Sequence, residues 1–457
     1  MERRSFSMDE VVAYCNQYGF IFQGSEIYGG LANTWDYGPL GTRLKNQVKD
    51  AWRYYFIQTR ENSYEVDADI LMNPRVWEAS GHLAGFSDPL LDCKECKTRH
   101  RADNLIQEFD ESVNADAMSQ DEMMQFIREK KVACPVCGKS NFTDIRQFNL
   151  MFETKRGVTD DSANRIFLRP ENAQGEYVNY LNVLRSMRAK LPFSIGQIGK
   201  AFRNEITPKN FTFRTIEFEQ MEFQTFCKEG SDSELYQYFK EYGKAFFESL
   251  GLPAEKLRFH DHDKLAHYAK EACDIEYQFP FGWGEINGTH NRTNFDLSRH
   301  QEYSGRSMEY FDEVTKEKYI PYIIESTYGL DRIVLALLFE GLHEEKISDT
   351  DSRIVLNIKP SLAPIKMNIL PLIKKKHAEK AKELRNFLSK HYMVHYEETG
   401  SIGKRYRRGD AIGIPYAITI DDDTLEKNTV TVRDRDTMEQ SVVSIEELMY
   451  FFMERGL

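Results

Sequence analysis

One segment of the sequence places arginines, carboxylates and an aromatic ring at the spacing of two paired strands. Residues 193–226, FSIGQIGKAFRNEITPKNFTFRTIEFEQMEFQTF, predict an antiparallel pair joined by a turn at residues 207–210. Side chains alternate between the two faces of a strand, so residues two positions apart share a face. The charged and aromatic residues that this alternation brings together are Arg203, Glu205, Arg214, Phe218 and Glu222.

These residue types are suited to a nucleotide. A guanidinium group binds phosphate oxygens through two parallel hydrogen bonds. An aromatic ring stacks on a base, and a carboxylate accepts a hydrogen bond from an exocyclic amine. The alternative is a solvent-exposed sheet face on which opposite charges pair across neighbouring strands. The spacing alone leaves both interpretations open.

A second group of charged residues lies where a strand is predicted to run into a helix, in residues 321–341. The strand places Glu325 and Thr327 on one face. A helix then follows, and its first turn holds Asp331 and Arg332. The alternative to a functional role is that Asp331 complements the helix dipole and that Arg332 is a surface charge.

Two pairs of cysteines have the spacing of a metal site. Cys93 and Cys96 form one C-x2-C pair, and Cys134 and Cys137 form another. Four thiolates are a common ligand set for a structural zinc ion. The 37 residues between the pairs exceed the roughly 15–20 of a single zinc ribbon. The alternative is a zinc-free insertion with reduced thiols, and in neither case is the metal expected to be catalytic.

The composition excludes several classes of protein. The chain has 457 residues, of which 41% are hydrophobic, so it can build sizeable cores and is not globally disordered. Seven cysteines are too few for a disulfide framework, and neither a signal sequence nor a membrane-spanning apolar run is expected. We therefore expect a cytoplasmic protein with no membrane partner. The net charge of −12 argues against a protein that coats nucleic acid non-specifically.

The elements that must position these residues fall into two parts. Residues 1–360 mix short strands with amphipathic helices, and they contain an insertion at about 90–147 that carries the cysteine pairs. A stretch with two prolines, residues 359–364, marks a boundary. Residues 361–457 then alternate strand and helix, which predicts a compact α/β domain with a mixed sheet.

Several blocks of the sequence resemble the class II aminoacyl-tRNA synthetases. FRNE at residues 202–205, with the later Arg214, resembles their motif 2, and GLDR at residues 329–332 resembles their motif 3. The resemblance narrows to the homodimeric glycyl-tRNA synthetases through further blocks. These are WEASGH (77–82), RPENAQG (169–175), EFEQMEF (217–223), NRTNFDL (291–297), GSIGKRYRRGDAIGIPYAITID (400–421) and VRDRDTMEQ (432–440).

The resemblance implies an α+β fold: an antiparallel sheet of six or seven strands flanked by helices, then a mixed α/β anticodon-binding domain. The catalytic domain is then residues 1–360, with its cysteine-pair insertion, and the anticodon-binding domain is residues 361–457. The implied activity is ATP-dependent ligation of glycine to tRNA(Gly) through glycyl-adenylate, by a homodimer with Pro74 at its interface.

Two other interpretations stay open beside this one. The first is a non-catalytic accessory subunit that binds nucleic acid, although such a chain is expected to have lost the ATP-binding arginines that this sequence retains. The second is a synthetase for a different amino acid.

The resemblance also implies roles for the ATP-binding residues. The motif 2 arginine, here Arg203, binds the α-phosphate of ATP and the amino-acid carboxylate. Glu205 is expected near the adenine amino group, Arg214 at the outer phosphates and Phe218 against the adenine ring. Arg332 is expected over the other face of adenine or at the γ-phosphate, which makes Arg203 and Arg332 the expected catalytic residues.

Charge screening predicts a Mg²⁺ cofactor. Glycine carboxylate and ATP are both anionic, so their reaction needs cations, which arginines and Mg²⁺ supply. Glu325 is the expected Mg²⁺ ligand, because a hard cation prefers oxygen. Its alternative role is to orient Arg203 or Arg332.

The amino-acid pocket follows from the resemblance as well. The ammonium group of glycine is expected against Glu171, Glu222 and the hydroxyl of Thr327, with Arg292 fixing the pocket. The family usually has Ser where Thr327 stands and often has Arg where Ile216 stands. The first departure adds a methyl group to the pocket, and the second removes a cation from the strand that carries Arg214.

The acidity of the chain is unevenly distributed. Residues 361–457 hold 16 Lys and Arg against 15 Asp and Glu, a net charge of +1, which leaves −13 for residues 1–360. A tRNA must therefore find local basic patches rather than a general attraction. The first candidate patch is Lys404, Arg405, Arg407 and Arg408, the second is Lys374–Lys376, and each is alternatively a solvated surface.

Overall fold

The computed structural model describes residues 3–457 except 111, 116–117, 158–163, 206–209, 263–264 and 266–268. Of the turn predicted at 207–210, only Asn210 falls within the described residues.

Helices and strands are interspersed along the whole of the described chain. The helices are α1 (Met8–Tyr18), α2 (Pro39–Trp52), α3 (Pro74–Ala79), α4 (His82–Gly85), α5 (Ala102–Phe109), α6 (Gln120–Glu129), α7 (Ala173–Ser186), α8 (Asp232–Leu250), α9 (Phe295–Ser304), α10 (Leu330–Gly341), α11 (Lys374–Leu388), α12 (Ile402–Ala411), α13 (Asp422–Lys427) and α14 (Leu448–Met453). The strands are β1 (Arg3–Ser5), β2 (Ile21–Gln23), β3 (Trp35–Tyr37), β4 (Ser63–Glu65), β5 (Ser87–Asp92), β6 (Arg99–Arg101), β7 (Arg146–Asn149), β8 (Glu153–Lys155), β9 (Arg165–Phe167), β10 (Phe193–Phe202), β11 (Glu217–Cys227), β12 (Leu257–Asp261), β13 (Glu271–Phe279), β14 (Gly282–Thr293), β15 (Tyr310–Phe311), β16 (Lys318–Tyr319), β17 (Tyr322–Gly329), β18 (Leu342–Ser348), β19 (Asp351–Leu356), β20 (Met367–Pro371), β21 (Val394–Tyr396), β22 (Tyr416–Ile420), β23 (Thr429–Asp434) and β24 (Gln440–Ser444).

A seven-stranded sheet forms the centre of the molecule, in the order β12-β13-β14-β17-β11-β10-β4. All neighbouring strands are antiparallel except β10 and β4, which run parallel. This arrangement confirms the predicted antiparallel sheet flanked by helices. The parallel pair at one edge was not predicted.

The predicted pair of strands is present as β10 and β11, but it is shorter than predicted. The ladder ends where Phe202 faces Glu217. Arg203, Glu205 and Arg214 therefore lie beyond the paired region rather than within it. The reason is local, because a short 3₁₀ turn at Phe211–Phe213 takes the chain out of the extended conformation before β11 begins.

The two faces of the sheet differ in chemistry because β11 alternates apolar and polar side chains. Met221 and Phe223 are fully buried in the main apolar core, on the face covered by α2, α8 and α10. Glu222 and Gln224 point to the opposite face, which α7 and α9 cover in part. The polar side chains of β11 thus face a region that the helices cover only in part.

The insertion forms a small unit with its own core. β6, β5 and β7 make a three-stranded sheet, and α5 and α6 pack against each other. The apolar cluster between them includes Leu91, Ile106 and Ile127 together with the four paired cysteines. Cys93 and Cys134 therefore lie in the core of the insertion, and Cys96 and Cys137 are half-buried against it.

The C-terminal part contains a five-stranded sheet in the order β21-β20-β22-β23-β24. β20 is parallel to β21 and β22, and the remaining pairs are antiparallel, so the sheet is mixed as predicted. Helix α12 was not predicted. No described helix of the chain is both long and apolar enough to cross a membrane.

Candidate active site

The ten side chains that the sequence assigns to ATP or glycine all line one cavity of about 430 Å³ on the polar face of the central sheet. They are Glu171, Arg203, Glu205, Arg214, Phe218, Glu222, Arg292, Glu325, Thr327 and Arg332. The cavity has a cationic, aromatic end and an acidic end.

At the cationic end, Arg203 lies between two aromatic rings. Its guanidinium carbon is 5.3 Å from the ring centroid of Phe86 and 5.3 Å from that of Phe218. Its Nε donates to the carbonyl of Pro170 at 3.1 Å, and the residue lines the cavity. On the facing arm of the hairpin, Arg214 lies 3.9 Å from the carboxylate of Glu205.

Arg332 is anchored at the same end by the turn that shortens the hairpin. Its Nε donates to the carbonyl of Phe213 at 3.1 Å, and its guanidinium lies 4.3 Å from the Phe213 ring centroid. Its NH1 donates to the carboxylate of Glu285 at 3.0 Å. The guanidinium is thus fixed as a wall of the cavity rather than free on the surface.

Asp331 has a structural role that differs from simple dipole compensation. One carboxylate oxygen pairs with Lys45 of α2 at 2.7 Å, and the other accepts from the backbone N–H of Glu219 on β11 at 2.7 Å. Lys45 also pairs with the carboxylate of Glu219. This cluster ties α2, α10 and β11 together directly behind the cationic end.

At the acidic end, charged and polar side chains form a continuous hydrogen-bonded chain. Glu171 accepts from Gln174 at 3.0 Å and lies 3.3 Å from His82 Nε2. Arg292 pairs with Asp296 at 2.7 Å. Gln174 bridges the two groups, because its amide nitrogen also lies 3.4 Å from Asp296.

Glu325 does not have the environment expected of a Mg²⁺ ligand. Its Oε1 accepts from His290 Nδ1 at 2.9 Å, and its Oε2 accepts from Tyr177 at 3.0 Å and from Arg292 at 3.2 Å. A metal ion would have to displace these donors. The structure therefore corrects the expectation: Glu325 orients Arg292, and not Arg203 or Arg332.

The carboxyl groups of this end have divergent pKa values. Burial alone would raise the pKa of Glu171 and Glu325, but their cationic partners outweigh it and hold both below the usual range. His82 is the main such partner of Glu171, and Arg292 is that of Glu325. Burial, followed by repulsion from Glu325, raises the pKa of Glu222 well above its usual value. The pocket therefore combines two carboxyl groups whose ionised form is stabilised with one whose neutral form is favoured.

The two residues that depart from the family pattern have different positions. Thr327 lines the cavity, and on the neighbouring strands it faces Glu222 and Gly288. The residue that faces it on β14 is a glycine, which has no side chain of its own at that register position. Ile216 is half-buried, and its backbone groups pair with Asn33 and Arg203, which places it in the connection before β11.

Several residues of the acidic end were not predicted from the sequence: His82, Gln174, Tyr177, His290 and Asp296. Two of them carried a usable signal. His290 lies two positions before Arg292 on the same strand, so strand alternation places both on one face. Asp296 follows Arg292 by four residues. Tyr177 lies in the middle of α7 and carries no such signal.

The four paired cysteines converge in the insertion. Their sulfur atoms all lie within 4.8 Å of one another. Cys93 and Cys137 are 3.6 Å apart, and Cys96 and Cys134 are 3.7 Å apart. Four sulfurs around a tetrahedral zinc at about 2.3 Å lie about 3.8 Å from each other. The sulfur positions therefore fit a zinc ion.

The first basic patch lies on α12, where its members have different environments. Lys404 is exposed, and Arg408 pairs with Glu397 at 2.8 Å. Arg407 pairs with Asp351 of β19. Arg405 is only 3% exposed and donates to the carbonyl of Pro371 at 2.8 Å, so its assignment to tRNA binding is wrong.

Comparison with known protein families gives matches to three domain models. The tRNA synthetase class II core domain (G, H, P, S and T) matches residues 148–340. The glycyl-tRNA synthetase insertion domain 1 matches residues 107–150, and the anticodon binding domain matches residues 361–455.

The chain also matches curated relatives over almost its whole length. The chain is 55% identical over 455 residues to the glycine–tRNA ligase of Alkaliphilus oremlandii. It is 54% identical over 456 residues to that of Clostridium acetobutylicum, and 54% identical over 452 residues to that of Ruminiclostridium cellulolyticum. Each alignment covers 98% of both chains.

Proposed function

The chain belongs to the glycine–tRNA ligases, a family of class II aminoacyl-tRNA synthetases, and from this premise we propose that one cavity holds ATP and glycine side by side. The enzyme is a ligase that activates glycine as glycyl-adenylate and transfers it to the 3′ end of tRNA. The observation that carries the proposal is the meeting of a cationic, aromatic wall and an acidic pocket in that cavity.

The cationic end is suited to the first step. The carboxylate of glycine attacks the α-phosphorus of ATP, a P–O bond forms, and pyrophosphate leaves. Both reactants are anionic, so fixed cations lower the barrier by stabilising charge at phosphorus. We assign Arg203 to the α-phosphate and glycine carboxylate, and Arg214 and Arg332 to the outer phosphates. Phe218 is assigned to the adenine ring and Glu205 to its amino group.

The acidic end is suited to the ammonium group of glycine. Glu171 and Glu325 supply negative charge, Glu222 and Thr327 supply oxygen atoms, and Arg292 holds Glu325 in place. A larger amino acid would push its side chain into these polar walls and leave buried groups unpaired. Such a pocket discriminates more strongly than an apolar one, in which a methylene is worth about 1–3 kcal/mol.

Glu285 is better placed than Glu325 to hold Mg²⁺. Its side chain is 48% exposed, lies at the ATP end of the cavity and pairs with Arg332 through one oxygen. A hard cation prefers such an oxygen ligand. When bound, Mg²⁺ supplies positive charge to the phosphates, and Arg203 and Arg332 orient them.

Zinc has a separate, structural role in this proposal. Cys93, Cys96, Cys134 and Cys137 would hold it, and the spacing of their sulfur atoms supports a closed tetrahedral site. Because two of the ligands lie in the core of the insertion and two pack against it, the ion would stabilise the insertion rather than take part in catalysis.

The C-terminal domain and a second copy of the chain complete the proposal. We assign residues 1–360 to catalysis and residues 361–457 to the anticodon, with Lys404, Arg407 and Arg408 as the leading tRNA contacts. We further propose a homodimer with the Pro74 segment at its interface.

ATP-dependent attachment of labelled glycine to tRNA tests this function. Arg203→Ala should lower the rate by about 10²–10³-fold, because it removes a cation from the reacting phosphate. Lys200→Ala is the matched control, since Lys200 lies near the end of β10, three residues before Arg203, but is exposed and pairs with Glu217. Absence of charging by the folded wild-type enzyme with Mg²⁺ would refute the function.

A further inference from the structure

The amino-acid pocket contains a histidine that none of the sequence motifs assigns to it. His290 lies on β14 directly opposite Glu325 of β17. Its Nδ1 is 2.9 Å from Glu325 Oε1. The side chain is 23% exposed and lines the cavity, so it borders the space that receives a substrate.

Glu325 is the point at which three elements meet. His290 contacts its Oε1, whereas Tyr177 of α7 donates to its Oε2 at 3.0 Å. Arg292 donates to both oxygens, at 3.4 and 3.2 Å, and is held from its other side by Asp296. The shortest of the contacts to Glu325 comes from His290, whose side chain lines the cavity.

We propose that His290 is a positioning residue for glycine: it donates from Nδ1 to Glu325 and holds the Glu325–Arg292 pair in the orientation that receives the ammonium group. This inference rests on the proposed function. The proposed role concerns glycine and not ATP. At the ATP end, Arg203 is anchored by Pro170 and Arg332 by Phe213. Within the described residues, neither arginine contacts His290 or Glu325.

His290 also contributes a positive charge to the pocket. Burial would lower its pKa, but the hydrogen bond and charge of Glu325 outweigh burial and raise it above 6.5. Other charged groups that face it are Arg292 and Glu285 of β14 and Asp274 of β13, and beyond β12 the ring of His262 lies 6.3 Å away. The positive charge is therefore kept to a higher pH than on an ordinary histidine and is lost as the pH rises through the raised pKa.

Two substitutions separate the hydrogen bond from the charge. His290→Asn places an amide nitrogen where Nδ1 stands, so it keeps a donor to Glu325 and removes the charge. His290→Ala removes both. His260→Asn is the matched control, because His260 lies on the edge strand β12 of the same sheet, is 55% exposed and pairs with Glu276 away from the cavity.

The measurement is the KM for glycine and the KM for ATP in glycine-dependent ATP–pyrophosphate exchange between pH 6 and pH 9. His290→Ala should raise the KM for glycine about tenfold, the effect expected for a lost hydrogen bond to a charged group, and leave the KM for ATP within about twofold. His290→Asn should recover most of the affinity at a pH above the pKa of His290, and the ratio of its KM for glycine to that of the wild type should change as the pH falls and His290 gains a proton.

Three results would overturn the inference. They are equal effects of the Asn and Ala substitutions, a parallel rise in the KM for ATP, and a wild-type-to-Asn ratio that does not change with pH. If His290→Ala fails to fold, the pH profile of His290→Asn still decides. Glycine-dependent exchange by the wild type tests the proposed function independently, and its absence would refute both.

Discussion

At the scale of single residues, the acidic end of the cavity shows how environment gives identical carboxyl groups different charges. Glu171 and Glu325 have cationic neighbours that lower their pKa values, whereas burial and their repulsion raise that of Glu222. The arriving ammonium group supplies a further positive charge, which favours ionisation of Glu222. Glycine binding should therefore be linked to the release of a proton from Glu222.

Glu176 offers a test of the buried charge balance behind this pocket. The side chain is fully buried, and neither carboxylate oxygen has a hydrogen-bond partner among the described residues. Burial, followed by repulsion from Glu222 and Glu325, raises its pKa well above the usual value. The folded state therefore binds a proton that the unfolded chain releases, so stability is full at acid pH and falls as the pH rises.

Glu176→Gln should remove this loss of stability. Glutamine cannot ionise, so the variant should gain at least about 1 kcal/mol of unfolding free energy relative to the wild type at pH 7.5 and much less at pH 4.5. Thermal unfolding at both pH values measures the difference, with exposed Glu241→Gln as the control. An equal effect at both pH values would show that the Glu176 carboxyl is not held neutral.

The individual site residues were predictable to the extent that they share a strand face or a family motif. Arg203, Phe218 and Arg332 were predicted in this way, and all three line the cavity. The contacts that His290 and Tyr177 make with Glu325 were not predictable, because these residues come from β14 and α7, which only the folded sheet brings to Glu325. The sequence does not show that these donors occupy the Glu325 carboxylate, and Glu325 was therefore predicted to be a Mg²⁺ ligand.

At the scale of elements, sequence patterns predicted the helices α8, α10 and α11 but not α12. The buried positions of this helix are Arg405, Gly409, Asp410 and Ala411, so its inward face gives almost no apolar signal. Asp410 is instead buried by pairing with Arg353 of β19 at 2.7 Å and with Arg433 of β23 at 2.9 Å. Hydrophobic periodicity does not predict a helix whose buried face is packed through ion pairs.

The insertion gives a prediction at this scale. The purified protein should contain about one zinc per chain, because four thiolates at tetrahedral spacing form a closed structural site. Cys134→Ser should lose the metal and destabilise the insertion, while Cys273→Ser, which lies on β13 outside the cluster, should keep it. Metal analysis and limited proteolysis of the insertion measure both effects.

A metal-free wild-type protein prepared with zinc present would contradict the assignment of the four cysteines. Retention of zinc by Cys134→Ser would contradict it equally.

At the scale of the whole molecule, the basic patch on α12 lies beside the junction between residues 1–360 and residues 361–457. β1, β18 and β19 form a small sheet that pairs residues 3–5 with residues 343–345. Helix α12 packs on β19, where Arg407 meets Asp351. Part of the basic run therefore stabilises the junction, and the excess of negative charge in residues 1–360 is met there by local pairing.

This long-range organisation lies beyond what local sequence patterns can predict. Strand β1 is three residues long and acquires its partner some 340 residues later, so nothing in its own composition identifies the pairing. The division into two parts at residues 359–364 was predicted from a local feature, the two prolines of that stretch. It remains a proposal, which the matched family models support.

The central claim, that one cavity selects glycine and joins it to ATP, is tested most directly by ATP–pyrophosphate exchange with glycine, alanine and serine side by side. The account predicts exchange with glycine and a kcat/KM lower by about a hundredfold or more for the other two, because their side chains meet the polar walls formed by Glu222 and Thr327. Exchange with alanine or serine at a rate comparable to that with glycine, or no exchange with glycine, would contradict it.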